Sequence, residues 1–208
     1  MKHLCILTLS LVFLSACSFT KSVPPEPGTP AYTEQEIAAY APVVTLGESD
    51  ARLRIVEFYD VTCGMCRYAH NELFAKLKTE YIDTGKVSFA LYDLPLGNSV
   101  RSRTLQAALR CAAQQDRYND YIEIIYKDLK YATEEKIVPY AEQAKLSLHE
   151  FTTCIAEGAS AQKVQENYEL AEKLKLDGTP TFYLNGEQVL GAMPWQSFKE
   201  LIDARLAP

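Results

Sequence analysis

Residues Arg54 to Asn71 read RIVEFYDVTCGMCRYAHN. The run Ile55-Val56-Glu57-Phe58-Tyr59 is β-branched and aromatic with one lone acid, the composition of a strand buried on both faces. It breaks at Asp60-Val61-Thr62. From there Cys66, Ala69, His70, Leu73, Phe74 and Leu77 recur at i, i+3, i+4, i+7, i+8 and i+11, the spacing of one helix face. Cys63 and Cys66 therefore sit where a central strand hands over to a helix, in its first turn. Backbone N–H groups there lack intrahelical partners, and the helix dipole is positive. Both favour a thiolate at Cys63, the attacking form of cysteine. Cys66 lies on the same helical side, placed to attack a mixed disulfide formed on Cys63. A zinc site and an inert bridge are the competing readings. A four-ligand zinc site needs a second Cys/His pair at short spacing, and only His70 is near. An inert bridge is an unusual occupant of a helix N-terminus.

Outward from this stretch, Val43-Val44-Thr45 predicts a short leading strand, and Gly47 to Asp50 a turn into the central one. Asp83-Thr84-Gly85 ends the helix, and Lys86 to Tyr92 (KVSFALY) is the next strand, completing a strand–helix–parallel strand unit. A mainly helical pattern of roughly 80 residues follows, about 97–176. Leu105, Ala108, Leu109 and Ala112 keep helical spacing, as do Tyr118, Tyr121, Ile122, Ile125 and Leu129. Helices over Ile137 to Lys145 and Leu148 to Ile155 take Thr133 and Ser147 as N-caps, and a longer helix runs from Val164 to Leu176. The tyrosines on these faces read as core and rim packing. Last come a strand over Thr181 to Leu184, a hairpin turn at Asn185-Gly186, a strand over Gln188 to Leu190 and a closing helix over Pro194 to Leu206.

Two motifs, VEFYDVTCGMCRYAH (Val56 to His70) and GTPTFYLNGEQVLGAMP (Gly178 to Pro194), together resemble the DsbA-like branch of the thioredoxin superfamily, the thiol-disulfide oxidoreductases of bacterial envelopes. The resemblance covers Val43 to the C-terminus. It implies an α/β thioredoxin fold with a helical insertion between the βαβ half and the C-terminal ββα half. It also implies that Pro180 is a cis-proline beside the CxxC pair. Thr179 is then its partner, whose backbone can pair with an extended substrate segment. A strand-edge proline is the plainer reading of Pro180. Glu57 matches a buried acid of the family. Burial raises a carboxyl pKa, so Glu57 relays a proton to or from Cys66, or else it pairs with a lysine for structure. His70 reads first as a satisfied core histidine and second as a catalytic one. The chain departs from the family between its cysteines. Strong oxidants commonly carry Pro-His there, and Gly64-Met65 offers no histidine to hold the thiolate. Oxidase, reductase and isomerase directions all stay open on that account.

Residues 1–16 read as a leader: a basic Met1-Lys2-His3, then an apolar run from Leu4 to Leu14 too short to span a bilayer as a mature helix. Leu14-Ser15-Ala16-Cys17 resembles a lipobox, which implies cleavage before Cys17 and acyl chains on that residue; ordinary secretion with a chance cysteine is the alternative. Residues 17–42 are polar and proline-rich (Pro24, Pro25, Pro27, Pro30) and read as a tether, with a helical turn or two over Thr33 to Tyr40. Residues 43–208 are the expected DsbA-like domain, long enough for one sizeable core.

The 208 residues carry a net charge of −6 with no block of like charges, which excludes a nucleic-acid surface or a basic membrane patch. Of the six cysteines, Cys5 goes with the leader, Cys17 takes lipid, and Cys63 and Cys66 form the active pair. That leaves Cys111 and Cys154, an even remainder suited to an oxidising compartment. A structural bridge between them closes a loop of about 44 residues, worth about 4 kcal/mol on the chain-entropy model; two free thiols or a second redox pair are the alternatives.

These readings converge on a lipid-anchored envelope oxidoreductase, the oxidising direction leading, with no cofactor and no resident metal. Its expected partners are reduced or misfolded exported proteins and a membrane redox partner that recycles the pair. Its expected place is the periplasmic side of the envelope, at the outer membrane in a Gram-negative source. Two readings of another class remain: a metal carrier using Cys63, Cys66 and His70, and a redox-silent binding lipoprotein.

Overall fold

The structure, a computed structural model, describes residues 34–207. The leader, Cys17 and most of the expected tether lie outside the described residues. Five strands form one sheet in the order β1-β3-β2-β4-β5. Central β2 (Leu53–Tyr59) runs parallel to β3 (Val87–Asp93) and antiparallel to β4 (Thr181–Leu184). The edges are β1 (Val44–Leu46), antiparallel to β3, and β5 (Glu187–Leu190), antiparallel to β4. This is the thioredoxin arrangement, an α/β sheet whose two halves are separated in sequence by helices.

Alternation along the strands sorts the cores. Ile55 and Tyr59 of β2, Phe89 and Leu91 of β3, and Phe182 and Leu184 of β4 share one face and one cluster with Cys66. Val56, Phe58, Ala90, Tyr92 and Tyr183 form the other. Successive strand side chains point to opposite faces, so Glu57 must project with Ile55 and Tyr59, toward the helix that carries the cysteines.

That helix starts as α2 (Gly64–Ala69) and continues through a π-helical turn (His70–Phe74), a short α3 (Ala75–Leu77) and a second π-helical turn (Lys78–Ile82). Spacing alone predicts a uniform α-helix here. The His70 ring lies parallel to Phe74, with centroids 5.7 Å apart, across the first widened turn. The insertion comprises α4 (Val100–Ala113), α5 (Tyr118–Lys127), α6 (Ile137–Gln143), α7 (Leu148–Glu157) and α8 (Ala159–Lys173). Then α9 (Trp195–Leu206) packs Phe198 and Ile202 on the cysteine side of the sheet. Ser147 caps α7, accepting from the Glu150 N–H. Thr133 does not cap α6. A 3₁₀ turn (Glu134–Lys136) intervenes, and the Thr133 hydroxyl donates to Glu135 instead. At the β4–β5 hairpin Asn185 (φ 48°) and Gly186 (φ 83°) take the paired positive φ of a tight turn that suits twisted strands.

The packed domain begins earlier than residue 43. Helix α1 (Glu34–Ala38) buries Ile37 against Val56, Phe58 and Tyr92, and the Tyr92 hydroxyl donates to the Ile37 carbonyl at 3.3 Å. Arg110, itself paired with buried Asp93 at 2.5 Å, donates to the Ala41 carbonyl at 2.9 Å. A proline-rich composition around this segment hid a single isoleucine with a pocket waiting for it.

Candidate active site

The site is built at the C-terminal end of β2. Cys63 is the N-cap residue of α2, with extended backbone angles (φ −80°, ψ 126°), and its carbonyl accepts the Arg67 N–H at 3.1 Å. Cys63 is half-buried, whereas Cys66 one turn later is 1% exposed; both are free thiols. Across from them, the Thr179–Pro180 peptide bond is cis. The Cys63 Sγ donates to the Thr179 carbonyl at 3.4 Å. The Thr179 hydroxyl is buried without a hydrogen-bond partner among the described residues. Residues 116 positions apart in the chain thus meet at one sulfur.

The two thiols are pushed in opposite directions. Cys63 is lowered from the ordinary 9.0 to about 5. The hydrogen bond from the Cys66 thiol is the largest lowering cause, followed by Thr179 and the backbone N–H groups of Cys66 and Met65, against an opposing cost of burial. The backbone donors of the first helical turn do contribute, but the neighbouring thiol outweighs them. Cys66 is raised far above an ordinary thiol, by burial first, then by its bond to Cys63 and by the charges of Glu57 and Cys63. One sulfur is ready to attack near neutral pH, and the other holds its proton.

Behind Cys66 lies a cleft of about 320 Å³, lined by Glu57, Cys66, Tyr59, Phe74, Tyr118 and Tyr126 among others. Exposed Thr45, Asp116 and Asn119 stand at its outer end. Glu57 is half-buried and opens onto this cleft. Burial first, and the Cys63 charge second, push its carboxyl up to about 8. No salt bridge joins Glu57 to a lysine or arginine among the described residues, so the lysine-pair reading has no counterpart there. The Tyr59 hydroxyl, also on the cleft, is buried without a hydrogen-bond partner among the described residues.

His70 stacks on Phe74 and meets the edge of the Tyr126 ring at 5.4 Å, with burial lowering its pKa. It packs the cleft wall. Among the described residues no group of three or more His, Cys, Asp or Glu side chains converges as a metal site, so Cys63, Cys66 and His70 do not form the carrier triad. Cys111 and Cys154 are joined by a disulfide between α4 and α7, S–S 2.07 Å, remote in sequence from the CxxC pair. Sequence reasoning missed the tyrosines of the cleft, Tyr59 on β2 and Tyr118 and Tyr126 on α5, which share faces with ordinary core positions and carry no spacing of their own. It also passed over Asp60, noted only as the end of a strand. A charged residue directly after a fully apolar strand end was the available signal.

A family model described as thioredoxin matches residues 41–204. The probable disulfide bond formation protein D of Bacillus cereus is 32% identical over 181 residues, 82% of each chain. The protein of that name from Bacillus anthracis is 30% identical over 179 residues, again 82% of each. Among solved structures, oxidised BdbD from Bacillus subtilis gives a TM-score of 0.67 at 23% identity, covering 78% of this chain and 91% of that one. Chlamydia trachomatis DsbA gives 0.66 at 22% identity, covering 87% and 96%.

Proposed function

We propose a function from one premise: the chain belongs to the thioredoxin family, in its DsbA-like branch, and is a protein thiol-disulfide oxidoreductase. The finer reading is an oxidase that forms disulfides in exported proteins through Cys63 and Cys66. The observation that carries it is the asymmetry of the two sulfurs, one lowered and reachable, the other raised and buried.

The oxidised enzyme holds a Cys63–Cys66 bond. A substrate thiolate attacks Cys63 Sγ, forming the substrate–Cys63 bond and expelling Cys66 with the electron pair. That sulfur cannot stay ionised where it lies, so it takes a proton, and Glu57, still protonated near neutral pH, supplies it from the shared cleft. A second substrate thiolate then attacks the substrate sulfur of the mixed disulfide. Cys63 leaves as a thiolate stabilised by the Cys66 thiol and by Thr179. Substrate is oxidised by two electrons and the enzyme reduced by two. A low leaving-group pKa favours this direction. Once Cys63 is ionised, the Thr179 carbonyl loses the S–H it accepted and is free to pair with substrate backbone.

The names of the Bacillus relatives support the disulfide-forming direction. The Gly64-Met65 dipeptide supplies no side-chain donor to the thiolate, and it keeps a reductase or isomerase as the second reading. The same proposal sets the protein in the cell envelope, held by acyl chains on Cys17 after removal of 1–16, with residues from 17 to about 33 as the tether and 34–207 as the folded domain. The Cys111–Cys154 bond fits an oxidising compartment, and a membrane redox partner re-oxidises the pair. The decisive experiment pairs two measurements. The reduction potential of the Cys63/Cys66 couple should fall near about −120 mV rather than about −270 mV. A Cys66→Ala variant should accumulate substrates disulfide-linked to Cys63. A reductase-like potential would move the assignment to the second reading, and absence of trapped substrate would end it.

A further inference from the structure

Asp60 is 1% exposed and takes no part in the chemistry above. Its Oδ1 accepts the Thr62 N–H at 2.7 Å, the Thr62 hydroxyl at 2.8 Å and the Ser102 hydroxyl at 2.7 Å. Its Oδ2 accepts the Leu96 N–H at 2.8 Å, and its own carbonyl accepts the Cys63 N–H at 3.0 Å. One residue therefore closes the turn that delivers Cys63 and ties it to both ends of one segment, the 3₁₀ turn at Leu96 and the first turns of α4. One helical turn further on, buried Gln106 donates to the Tyr59 carbonyl at 2.8 Å, fastening α4 to the last residue of β2 as well.

Stability alone does not call for this. A buried carboxyl costs free energy that its hydrogen bonds at best offset, and an apolar side chain of similar size would serve a plain turn. What four converging donors provide is direction. The hydrogen bonds that hold the Cys63 thiolate weaken steeply as donor and sulfur move out of line, and Asp60-Val61-Thr62 is the short connection between β2 and the first helical turn. We infer that Asp60 is a positioning residue for disulfide exchange, through which the helical insertion sets where Cys63 Sγ stands relative to Cys66 and Thr179. This rests on the reading of Cys63 as the attacking sulfur.

The test titrates the Cys63 thiolate by its ultraviolet absorbance in the reduced protein, and its redox equilibrium against glutathione, for the parent, Asp60→Asn and Ser102→Ala. Asp60→Asn should raise the proton affinity of Cys63 about tenfold and shift the redox equilibrium toward the disulfide by the same factor, about 30 mV for two electrons. Loss of a negative charge without loss of positioning would lower that affinity instead, so a fall, or no change, overturns the inference. Ser102→Ala alters no charge and should shift both readings the same way by less. If Asp60→Asn does not fold, parental values in Ser102→Ala overturn the inference without it. Asn167→Ala, which loosens the buried polar contact to Asp93 and touches none of the groups that hold the Cys63 turn, should cost stability and leave both readings alone; an equal shift there would reduce Asp60 to general packing. A parent whose Cys63 titrates as an ordinary thiol would remove the premise, and that outcome is visible before any variant is read.

Discussion

Two sulfurs three positions apart owe their opposite behaviour to depth. Cys63 stands at the lip of the helix, beside the Cys66 thiol, Thr179 and two backbone N–H groups that lower it; Cys66 is one turn inside, facing an acid. Glu57 is the residue on which the exchange of protons between these environments turns. It can accept the Cys66 proton only when ionised, that is, above its raised pKa. In the mixed disulfide Cys63 carries no charge and burial alone raises Glu57, so the rate at which Cys66 attacks should rise with pH through an inflection above the ordinary carboxyl range and below about 8 in the parent. Glu57→Gln should lose that inflection and slow the step at least about tenfold, within the usual range for general acid–base groups. Stopped-flow release of a chromogenic thiol from the Cys63 adduct measures both. An unchanged profile would assign Glu57 to packing. The position of this acid could be read from the strand pattern, but its solitude could not, because which side chains line a cleft depends on elements far apart in the chain.

Helix α4 is attached at both of its ends. Its start holds the catalytic turn through Ser102 and Gln106, and its end carries the disulfide to α7. The bridge spans a sequence separation of 43, and the Ser160 hydroxyl lies 3.2 Å from the Cys154 sulfur in the same buried spot. Replacing both Cys111 and Cys154 with alanine should lower unfolding free energy by up to about 4 kcal/mol, measured by urea denaturation. The alkylation rate of Cys63 near neutral pH should stay unchanged, since the bridge sits at the far end of the helix. A changed alkylation rate would mean the bridge also tunes the active pair. Periodicity located these helices because each buries a stripe, and it located Ser147 because a cap is a local hydrogen bond. It could not locate the π-helical turns after Ala69 or the docking of Ile37, since neither follows from spacing along one segment.

Taken across the whole domain, the active-site groups make stability depend on redox state and pH together. In the reduced protein, folded Cys63 gives up its proton near pH 5, whereas the unfolded chain holds it to about 9. The unfolded state binds more protons between those limits, so this contribution is full above about 9 and is lost as pH falls through about 5. Glu57 works the other way: its contribution is full below about 4.5 and is lost as pH rises through about 8. The oxidised protein has only the second, and there burial alone raises Glu57 because Cys63 carries no charge, so its stability should fall as pH rises from about 5 toward 8 while that of the reduced protein stays flatter. Urea midpoints of the two forms across that range check this, and parallel curves would refute it. The strand–helix junction at the cysteines, the helical insertion and the closing hairpin were all legible from residue order, because strand pairing patterns, helix stripes and tight turns are set by neighbours a few positions away. The meeting of Thr179 with Cys63, the cleft behind Cys66 and the grip of Asp60 on Leu96 and Ser102 depended on the folded chain. Each joins segments tens of residues apart, and only packing in three dimensions determines which of the many possible long-range pairs make contact.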